Sequence, residues 1–372
     1  MGSRERWILL ILGAVYAAII VVSRMPYGGD IVPEIALSQR WLDGAPLYRP
    51  ALSAYGTPWP PFAAVVLVPL ALLARVSLPV ATAAWSVFSV ACLVAALALA
   101  RRWGWKTAII AVLATAVPIQ TNFEHRNVNT VLLALVVAAA ADLEDARDAR
   151  AGLWLGLATA IKAFPALLLV YLAVRGQWRA LAVATAVAAG GTLLALAPYG
   201  PAGGGAAAAD WLGSSFDQGR WLIGPSNQSL HALVLRLGGT PPVAAGLAAL
   251  CVGGALLLAR SRARGVLPGL GATTLAAILA TPIAWVHYYV LAFPAWAAVA
   301  SGFTGRLKGG RAIAFSVAAL GTSGWLTVGP RPLRQALLGE RIYAWGALVL
   351  LALLAWRLLE RANGPTDQPG RS

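Results

Sequence analysis

Acidic side chains are scarce in this sequence, and three of the 14 lie close together at Asp30, Glu34 and Asp43. A carboxylate in such a loop can act as a general base that takes a proton from an attacking hydroxyl group. Asp30 follows Gly28-Gly29, which allow a tight turn and a close approach to a ligand. The competing interpretation is that Asp30 caps the helix that follows, because Asp is favoured at that position. We predict that Asp30 is a catalytic carboxylate and that Glu34 and Asp43 are solvated loop charges.

Hydrogen-bonding side chains are densest at Gln120–Asn129, between two apolar runs. Asn and His side chains at membrane depth are costly unless they face a cavity or a ligand. His125 and Arg126 are therefore either ligand contacts or members of an ordinary polar turn, and the sequence does not separate the two. Asn127 can cap the next helix or contact a ligand, whereas Asn129 is predicted to be a structural cap.

Two isolated titratable side chains stand in apolar surroundings. Lys162 interrupts the run 151–174, and we expect it to contact an anion or to form a buried ion pair rather than to reach the membrane surface. His287 lies in the aromatic segment Trp285–Tyr289, which can anchor a helix at a membrane interface. Because an imidazole titrates near neutral pH, His287 could instead transfer a proton or bind phosphate.

The pair Asn227-Gln228 can either bind a sugar or cap the next helix, and composition does not decide between these roles. Metal-binding patterns are missing from the sequence, which has three His and two Cys in all and no closely spaced acidic motif. It also lacks the Gly-rich phosphate loops of nucleotide-binding proteins. We therefore predict a site that uses no metal and no cofactor.

Composition predicts the elements that must position these residues. Of the 372 residues 59% are apolar and only 12% are charged, and the mean hydropathy is +0.72. A soluble domain carries about 25% charged residues, so soluble enzymes, disordered proteins and disulfide-stapled domains are excluded. Repeated runs of about 20 residues, rich in Leu, Ala and Val, are typical of helices that span a bilayer. The sequence predicts an all-α polytopic membrane protein.

The basic residues, which give a net charge of +15, lie in short loops between the apolar runs. This distribution is typical of positively charged cytosolic loops rather than of nucleic-acid binding, and we expect no nucleic-acid partner. With both termini in the cytosol, about twice as many basic residues fall in cytosolic loops as in outer ones. The segments 23–59 and 199–240 are then the outer loops, and residues 33–42 form an amphipathic helix at the membrane surface.

We expect one integral-membrane domain over residues 1–362 and a short cytosolic tail over 363–372. The domain begins with a span at 7–22 and has about 10–13 transmembrane helices, including broken or re-entrant segments. Two apolar stretches are broken in this prediction. The stretch 60–100 holds one crossing and a half-helix, and 151–174 holds two short helices that meet between Lys162 and Pro165.

An ordered set of motifs between residues 30 and 290 resembles glycosyltransferase family 87, which belongs to the glycosyltransferase C superfamily. The similar features are Asp30, Leu42–Tyr48, Trp59-Pro60-Pro61, Asn127 and Asn129, Ile161-Lys162-x-x-Pro165, Asn227-Gln228-Ser229-Leu230 and Trp285-Val286-His287. Two positions depart from the family pattern. The family often has Gly-Gln-x-Asn where this chain has His125–Asn129, and often a second His where this chain has Tyr288.

The resemblance implies a glycosyltransferase C-type fold and the inverting transfer of a sugar, most often mannose, from a polyprenyl-phosphate donor. The acceptor is a hydroxyl group of a glycolipid or lipid-linked glycan at the outer leaflet of the plasma membrane. Asp30 is then the general base, and basic side chains stabilise the anionic leaving group without a metal. The donor contacts assigned on this basis are Lys162, His287, Arg126, His125, Asn127, Asn227 and Gln228.

The main alternative is a transporter or a lipid flippase. Such proteins often have inverted repeats, broken helices at corresponding positions of two halves, and carboxylates inside the membrane. Here the acidic residues lie in loops, and the first 60 residues have no counterpart in the second half. These features favour the glycosyltransferase.

Overall fold

The computed structural model describes residues 28–48, 59–216, 223–260, 265–302 and 309–363, and all regular structure in these ranges is helical. The first helices are α1 (Ile31–Leu42), α2 (Phe62–Val66), α3 (Val68–Val76), α4 (Leu78–Ala100), α5 (Trp105–Leu113), α6 (Ala116–Glu124), α7 (Asn129–Glu144), α8 (Asp148–Ile161) and α9 (Leu167–Val174). They are followed by α10 (Trp178–Leu196), α11 (Gly200–Phe216), α12 (Leu230–Arg236), α13 (Pro241–Arg260), α14 (Val266–Ala280), α15 (Phe293–Ala300), α16 (Gly310–Ser323), α17 (Arg331–Gly339) and α18 (Ile342–Asn363). Short 3-10 helices join several of them, at Arg101–Trp103, Phe164–Ala166, Ala197–Tyr199, Val286–Ala292 and Trp325–Thr327.

Three helical segments of the described chain are long and apolar enough to cross a membrane, namely Leu78–Trp103, Trp178–Ser215 and Pro241–Arg260. The pair α17 and α18, bent by 54° at their junction, is a fourth candidate. The predicted all-α polytopic membrane fold is confirmed. The total of about 10–13 transmembrane helices stays a prediction, and the predicted span at 7–22 and the tail from residue 364 onward lie outside the described residues.

Large apolar side chains on these long helices point away from the protein. Leu193 on α10 is 69% exposed, and Leu250 and Leu257 on α13 are 72% and 69% exposed. Contiguous apolar surface of this kind is unfavourable in water and favourable against lipid chains. The outward faces of α10 and α13 are therefore the lipid-facing surface of the molecule.

Both apolar stretches that the sequence predicts to be broken are interrupted in the structure. In the first, α2 and α3 precede the long α4, and the side chain of Ser77 caps the N-terminus of α4. In the second, α8 ends at Ile161 and a 3-10 turn leads into α9. Pro165 in that turn has no backbone N–H to donate to a continuing helix. Lys162 therefore stands at the C-terminal end of α8, in the break.

Two glycines set the position of α8. A Cβ atom at Gly152 would lie 2.3 Å from the carbonyl oxygen of Ala180 on α10, and one at Gly156 would lie 2.7 Å from that of Ala184. Small residues four positions apart allow membrane helices to approach this closely. The close packing of α8 against α10 also fixes the location of Lys162, which follows directly.

The core of the protein lies around α14, the 3-10 helix Val286–Ala292 and α15. Every residue of α14 except the last is buried, and so are all residues of α15 and six of the seven in the 3-10 helix. His287 is the second residue of this 3-10 helix. Its position is therefore set by the most completely buried part of the protein.

The predicted amphipathic helix is present as α1, but its polar face is oriented differently from the prediction. Glu34 and Ser38, expected to face water, are buried together with Ile31 and Ile35. Residues at this spacing share one face of a helix. Ser38 Oγ donates a 2.6 Å hydrogen bond to the carbonyl of Ala64 on α2. The prediction was wrong because this face packs against the protein rather than against solvent.

Candidate active site

One cavity of about 750 Å³ brings together side chains from distant parts of the chain. Cavities of this size hold small ligands or lipid headgroups. Of the eight residues predicted to form the site, five line it, namely Asp30, His125, Asn127, Lys162 and His287. The structure thus joins the loop before α1, the turn between α6 and α7, the end of α8 and the 3-10 helix at His287.

A tight backbone turn holds Asp30 at the cavity. Gly28 and Gly29 have φ angles of +70° and +83°, which glycine adopts without strain. A Cβ atom at Gly29 would lie 2.6 Å from the carbonyl oxygen of His125, and the backbone N–H of Asp30 donates a 2.7 Å hydrogen bond to that oxygen. Asp30 occupies the N-cap position of α1, but its side chain makes no capping hydrogen bond. Helix capping therefore does not account for this carboxylate, which is 38% exposed.

Asn127 links the carboxylate of Asp30 to the ammonium group of Lys162. Its Nδ2 donates a hydrogen bond to Asp30 Oδ2 at 2.7 Å, and its Oδ1 accepts one from Lys162 Nζ at 3.4 Å. The same oxygen accepts the backbone N–H of Val128 at 2.8 Å, which fixes the orientation of the amide. A negative and a positive side chain are thus held on opposite sides of one amide group.

Lys162 is a buried cation, only 7% exposed. Two features stabilise its charge: the partial negative charge at the C-terminus of α8 and the ring of Tyr288, whose centroid lies 4.3 Å from Nζ. Within the described part of the chain, no carboxylate forms a salt bridge with Lys162. Of the two functions predicted for this residue, the contact with a bound anion is the one that its surroundings favour.

His287 lines the cavity close to Asp30. Its Nε2 lies 3.9 Å from Asp30 Oδ2 and has no hydrogen-bond partner among the described residues. Asn129, which the sequence predicted to be structural, donates from Nδ2 to the carbonyl of His287 at 3.0 Å. The ring of His125 is 5.4 Å away between centroids. A buried imidazole nitrogen without a partner is available to a ligand in the cavity.

The remaining three predicted site residues form hydrogen bonds with the backbone. Arg126 donates from Nη1 to the carbonyl of Gly28 at 2.9 Å. Asn227 donates to a carbonyl 55 positions later in the chain, and Gln228 donates to the carbonyl of a residue near the end of α17, each at 2.9 Å. These bonds tie together segments that form the cavity. The donor contacts of Arg126, Asn227 and Gln228 stay predictions, and the hydrogen bonds observed for these residues hold the walls of the cavity.

Glu34, predicted to be a solvated loop charge, is buried and lines the same cavity. It lies one helical turn after Asp30, and this i, i+4 spacing was the signal that could have placed the two carboxyl groups together. Burial raises the pKa of the Glu34 carboxyl to about 8, against the opposing influence of the Lys162 charge and a hydrogen bond from the Trp59 backbone. At neutral pH Glu34 is therefore mostly protonated and can donate a hydrogen bond.

This raised pKa makes stability depend on pH in a definite direction. The usual pKa of the group is 4.5, so between pH 4.5 and about 8 the folded protein holds a proton that the unfolded chain has lost. Stability should fall as the pH rises through this window, by at most about 1.4 kcal/mol per pH unit. Replacing Glu34 by Gln should remove this dependence. The measurement is the thermal unfolding temperature in detergent at pH 6 and pH 9.

The matched control is Glu340→Gln, the same change at an exposed carboxyl that pairs with Arg236. This variant should lose as much stability between pH 6 and pH 9 as the parent protein does. If the parent and Glu34→Gln lost the same stability between pH 6 and pH 9, Glu34 would be ionised in the folded protein at neutral pH.

A second cavity, of about 400 Å³, adjoins the first. The two share Trp59, Lys162 and Tyr288 as lining residues. Most other side chains around the second cavity are apolar, including Phe164, Leu167, Leu212, Val252 and Ile283. A polar headgroup in the first cavity and an apolar chain in the second would therefore meet beside Lys162.

Metal-ligating side chains do not gather in the described part of the chain: no three His, Cys, Asp or Glu residues there could hold one ion. Among the described residues, Lys162 and Arg334 carry the positive charges that line the main cavity. Fixed cations of this kind can stabilise an anionic leaving group by hydrogen bonding and charge.

Comparison with known proteins identifies relatives of this chain. The sequence model of glycosyltransferase family 87 matches residues 58–286. A polyprenol-phosphate-mannose-dependent α-(1-2)-phosphatidylinositol mannoside mannosyltransferase of Mycobacterium tuberculosis is 33% identical over 230 residues, which cover 52% of each protein. The protein of the same description from Mycolicibacterium smegmatis is 32% identical over 212 residues, covering 49% of this chain and 47% of the relative.

A third relative has a longer alignment. It is a polyprenol-phosphate-mannose-dependent α-(1-2)-phosphatidylinositol pentamannoside mannosyltransferase of Mycolicibacterium smegmatis, 29% identical over 329 residues that cover 82% of this chain and 77% of the relative. The matched part of the chain spans about half the length of the first two relatives.

Proposed function

Because this chain belongs to glycosyltransferase family 87, we propose that it is a hexosyltransferase that moves mannose from polyprenyl-phosphate mannose to a hydroxyl group of a glycolipid. The observation that carries the proposal is the placement of Asp30 and Lys162 in one cavity, on opposite sides of Asn127. Transfer of a sugar from a phosphate to a hydroxyl group uses both charges, a base for the nucleophile and a cation for the leaving group.

In the proposed reaction, the acceptor oxygen attacks the anomeric carbon on the face opposite the phosphate, so that the configuration inverts. The hydroxyl proton goes to the Asp30 carboxylate and a new C–O bond forms. The bond between the anomeric carbon and the phosphate oxygen breaks, and its electron pair stays on that oxygen. The leaving group is polyprenyl phosphate, whose negative charge is stabilised by Lys162 without a metal ion. His287 Nε2, close to Asp30, hydrogen-bonds the reacting sugar.

The adjoining cavities support a lipid-linked donor. In this proposal the sugar occupies the 750 Å³ cavity near Asp30, and the first part of the polyprenyl chain occupies the apolar 400 Å³ cavity. The donor phosphate then lies at their common wall, next to Lys162. A water-soluble nucleotide sugar would leave the apolar cavity unused.

The protein is a multi-pass membrane protein, and we propose that its active site faces the extracytoplasmic side of the plasma membrane. The argument is the distribution of charge: the loop that contains Asp30 belongs to the set of connections that is poor in Lys and Arg. The acceptor is then a glycolipid or lipid-linked glycan of the outer leaflet.

The test is to incubate the purified full-length protein with polyprenyl-phosphate [14C]mannose and a mannosylated phosphatidylinositol acceptor in detergent micelles. We expect radiolabel to move into the acceptor, to do so equally with EDTA, and not to move when GDP-[14C]mannose is the donor. The product lipids are separated by thin-layer chromatography.

Two outcomes would contradict the proposal. Transfer that stops with EDTA and returns with Mn²⁺ or Mg²⁺ would overturn the metal-free mechanism. No transfer, together with movement of the intact donor lipid across proteoliposome membranes, would favour the flippase alternative instead.

A further inference from the structure

One wall of the main cavity comes from a segment that contains none of the predicted site residues. It is formed by the segment from Thr327 to Leu338, which includes most of α17 and lies outside the residues 58–286 that the family model matches. The charged residue of this segment that lines the cavity is Arg334. The main cavity is thus completed by a part of the chain that the family pattern does not cover.

Helix α17 has two different faces and is not enclosed by the residues that the structure describes. None of its nine residues is buried. Arg334 and Leu338, four positions apart, both line the cavity, whereas Leu333 is 51% exposed on another face. An exposed amphipathic helix joined to a candidate span lies at the membrane interface, with its apolar face in the lipid headgroup region. In that orientation one face of α17 contacts lipid and another faces the cavity.

Unlike Arg236 and Arg341, the two arginines of α17, Arg331 and Arg334, have no side-chain partner among the described residues, and of the two only Arg334 lines the cavity. Arg236 forms an ion pair with Glu340, and Arg341 donates hydrogen bonds to backbone carbonyls. Among the residues that the structure describes, the guanidinium of Arg334 has neither a hydrogen bond nor an ion pair. A planar guanidinium is well suited to bind a phosphate through two parallel hydrogen bonds.

The position of Arg334 favours the acceptor over the donor as the source of that phosphate. The donor phosphate is assigned to Lys162, at the wall shared with the apolar cavity, and Arg334 does not line that second cavity. A lipid that enters beside α17 keeps its acyl chains in the bilayer and brings its headgroup into the main cavity, where Asp30 lies.

We propose that Arg334 binds the phosphodiester of an anionic glycolipid acceptor and that α17 forms the entrance for that lipid. The proposal rests on the proposed glycosyl transfer and adds to it the residue that selects a phospholipid-based glycolipid over a neutral one. The region that recognises the acceptor headgroup is then separate from the residues that recognise the donor.

The test compares Arg334→Gln with Arg331→Gln, which removes the same charge one helical turn earlier on α17 at a residue that does not line the cavity. Transfer from polyprenyl-phosphate mannose is measured to a mannosylated phosphatidylinositol and to octyl α-mannoside, which has no phosphate. In Arg334→Gln we expect the KM for the anionic acceptor to rise about 10- to 150-fold, the range for losing a hydrogen bond to a charged group. The KM values for octyl mannoside and for the donor should stay at the parental level, and Arg331→Gln should behave like the parent.

A binding measurement separates this proposal from the proposed function. Native mass spectrometry of the detergent-solubilised protein with phosphatidylinositol mannoside should show adducts for the parent and for Arg331→Gln, and far fewer for Arg334→Gln. This holds even if the parent transfers no mannose, in which case the proposed function fails and the anionic site stands. The proposal would be overturned if all three proteins showed equal adducts. It would also be overturned if Arg334→Gln raised the donor KM, or if it raised the KM values of both acceptors by the same factor.

Discussion

Replacing Asp30 by Asn is expected to lower kcat for mannosyl transfer by about 10²- to 10⁴-fold, the usual contribution of a general base. Asn has nearly the same shape, and its side-chain oxygen can still accept the hydrogen bond from Asn127 Nδ2. The fold and donor binding should therefore survive, while the hydroxyl proton has no acceptor. The measurement is kcat under saturating donor and acceptor, with donor binding followed separately by native mass spectrometry.

The matched control is Asp43→Asn, the same change at an exposed carboxylate that follows α1 and pairs with Arg75. It should transfer mannose at the parental rate. A helix cap predicts a different result, because Asn caps about as well as Asp and Asp30→Asn would then be nearly silent. If Asp30→Asn retains activity while Glu34→Gln loses it, the base is Glu34.

The second large effect is expected at Lys162. Replacing it by Met keeps a long apolar side chain beside Tyr288 but removes the charge. Loss of a charged hydrogen bond of 1.5–3 kcal/mol corresponds to a fall of about 10- to 150-fold in kcat/KM for the donor. Lys162→Arg should restore part of the activity, because a guanidinium still carries a positive charge to the phosphate.

Lys106→Met, which removes an exposed lysine at the start of α5, is the control for a general effect of charge. A purely structural function of Lys162 would lower the unfolding temperature of Lys162→Met and leave the donor KM of the surviving protein unchanged. An effect confined to the acceptor KM would place the donor phosphate elsewhere.

The sequence alone was sufficient to predict those features of the structure that neighbouring residues determine. The two positive φ angles before Asp30, the helix after it and the break at Lys162 follow from glycine, from amphipathic spacing and from proline. The membrane fold follows from composition. These features depend on residues close together in the chain, and such residues can be interpreted without knowing the tertiary structure.

The environment of a polar side chain depends on distant segments, and there the sequence was less informative. Glu34 has the pattern of a solvated helix face, but α2 and the cavity lie next to it in the fold. Asn227 and Gln228 have the composition of sugar ligands, but their amides meet backbone carbonyls far along the chain. Arg334 gave no local signal, because only the packing of the chain brings α17 to the cavity.

The site is assembled from residues that are far apart in the order of synthesis. Asp30 and Asn127 are 97 positions apart, and Asn129 and His287, which are hydrogen-bonded, are 158 apart. While the ribosome is still adding the residues before position 287, the nascent chain carries Asp30 without His287 and without the wall that α17 contributes to the cavity. Under the proposed function, a product truncated before residue 287 lacks both His287 and the α17 wall of the cavity, and we expect it to transfer no mannose.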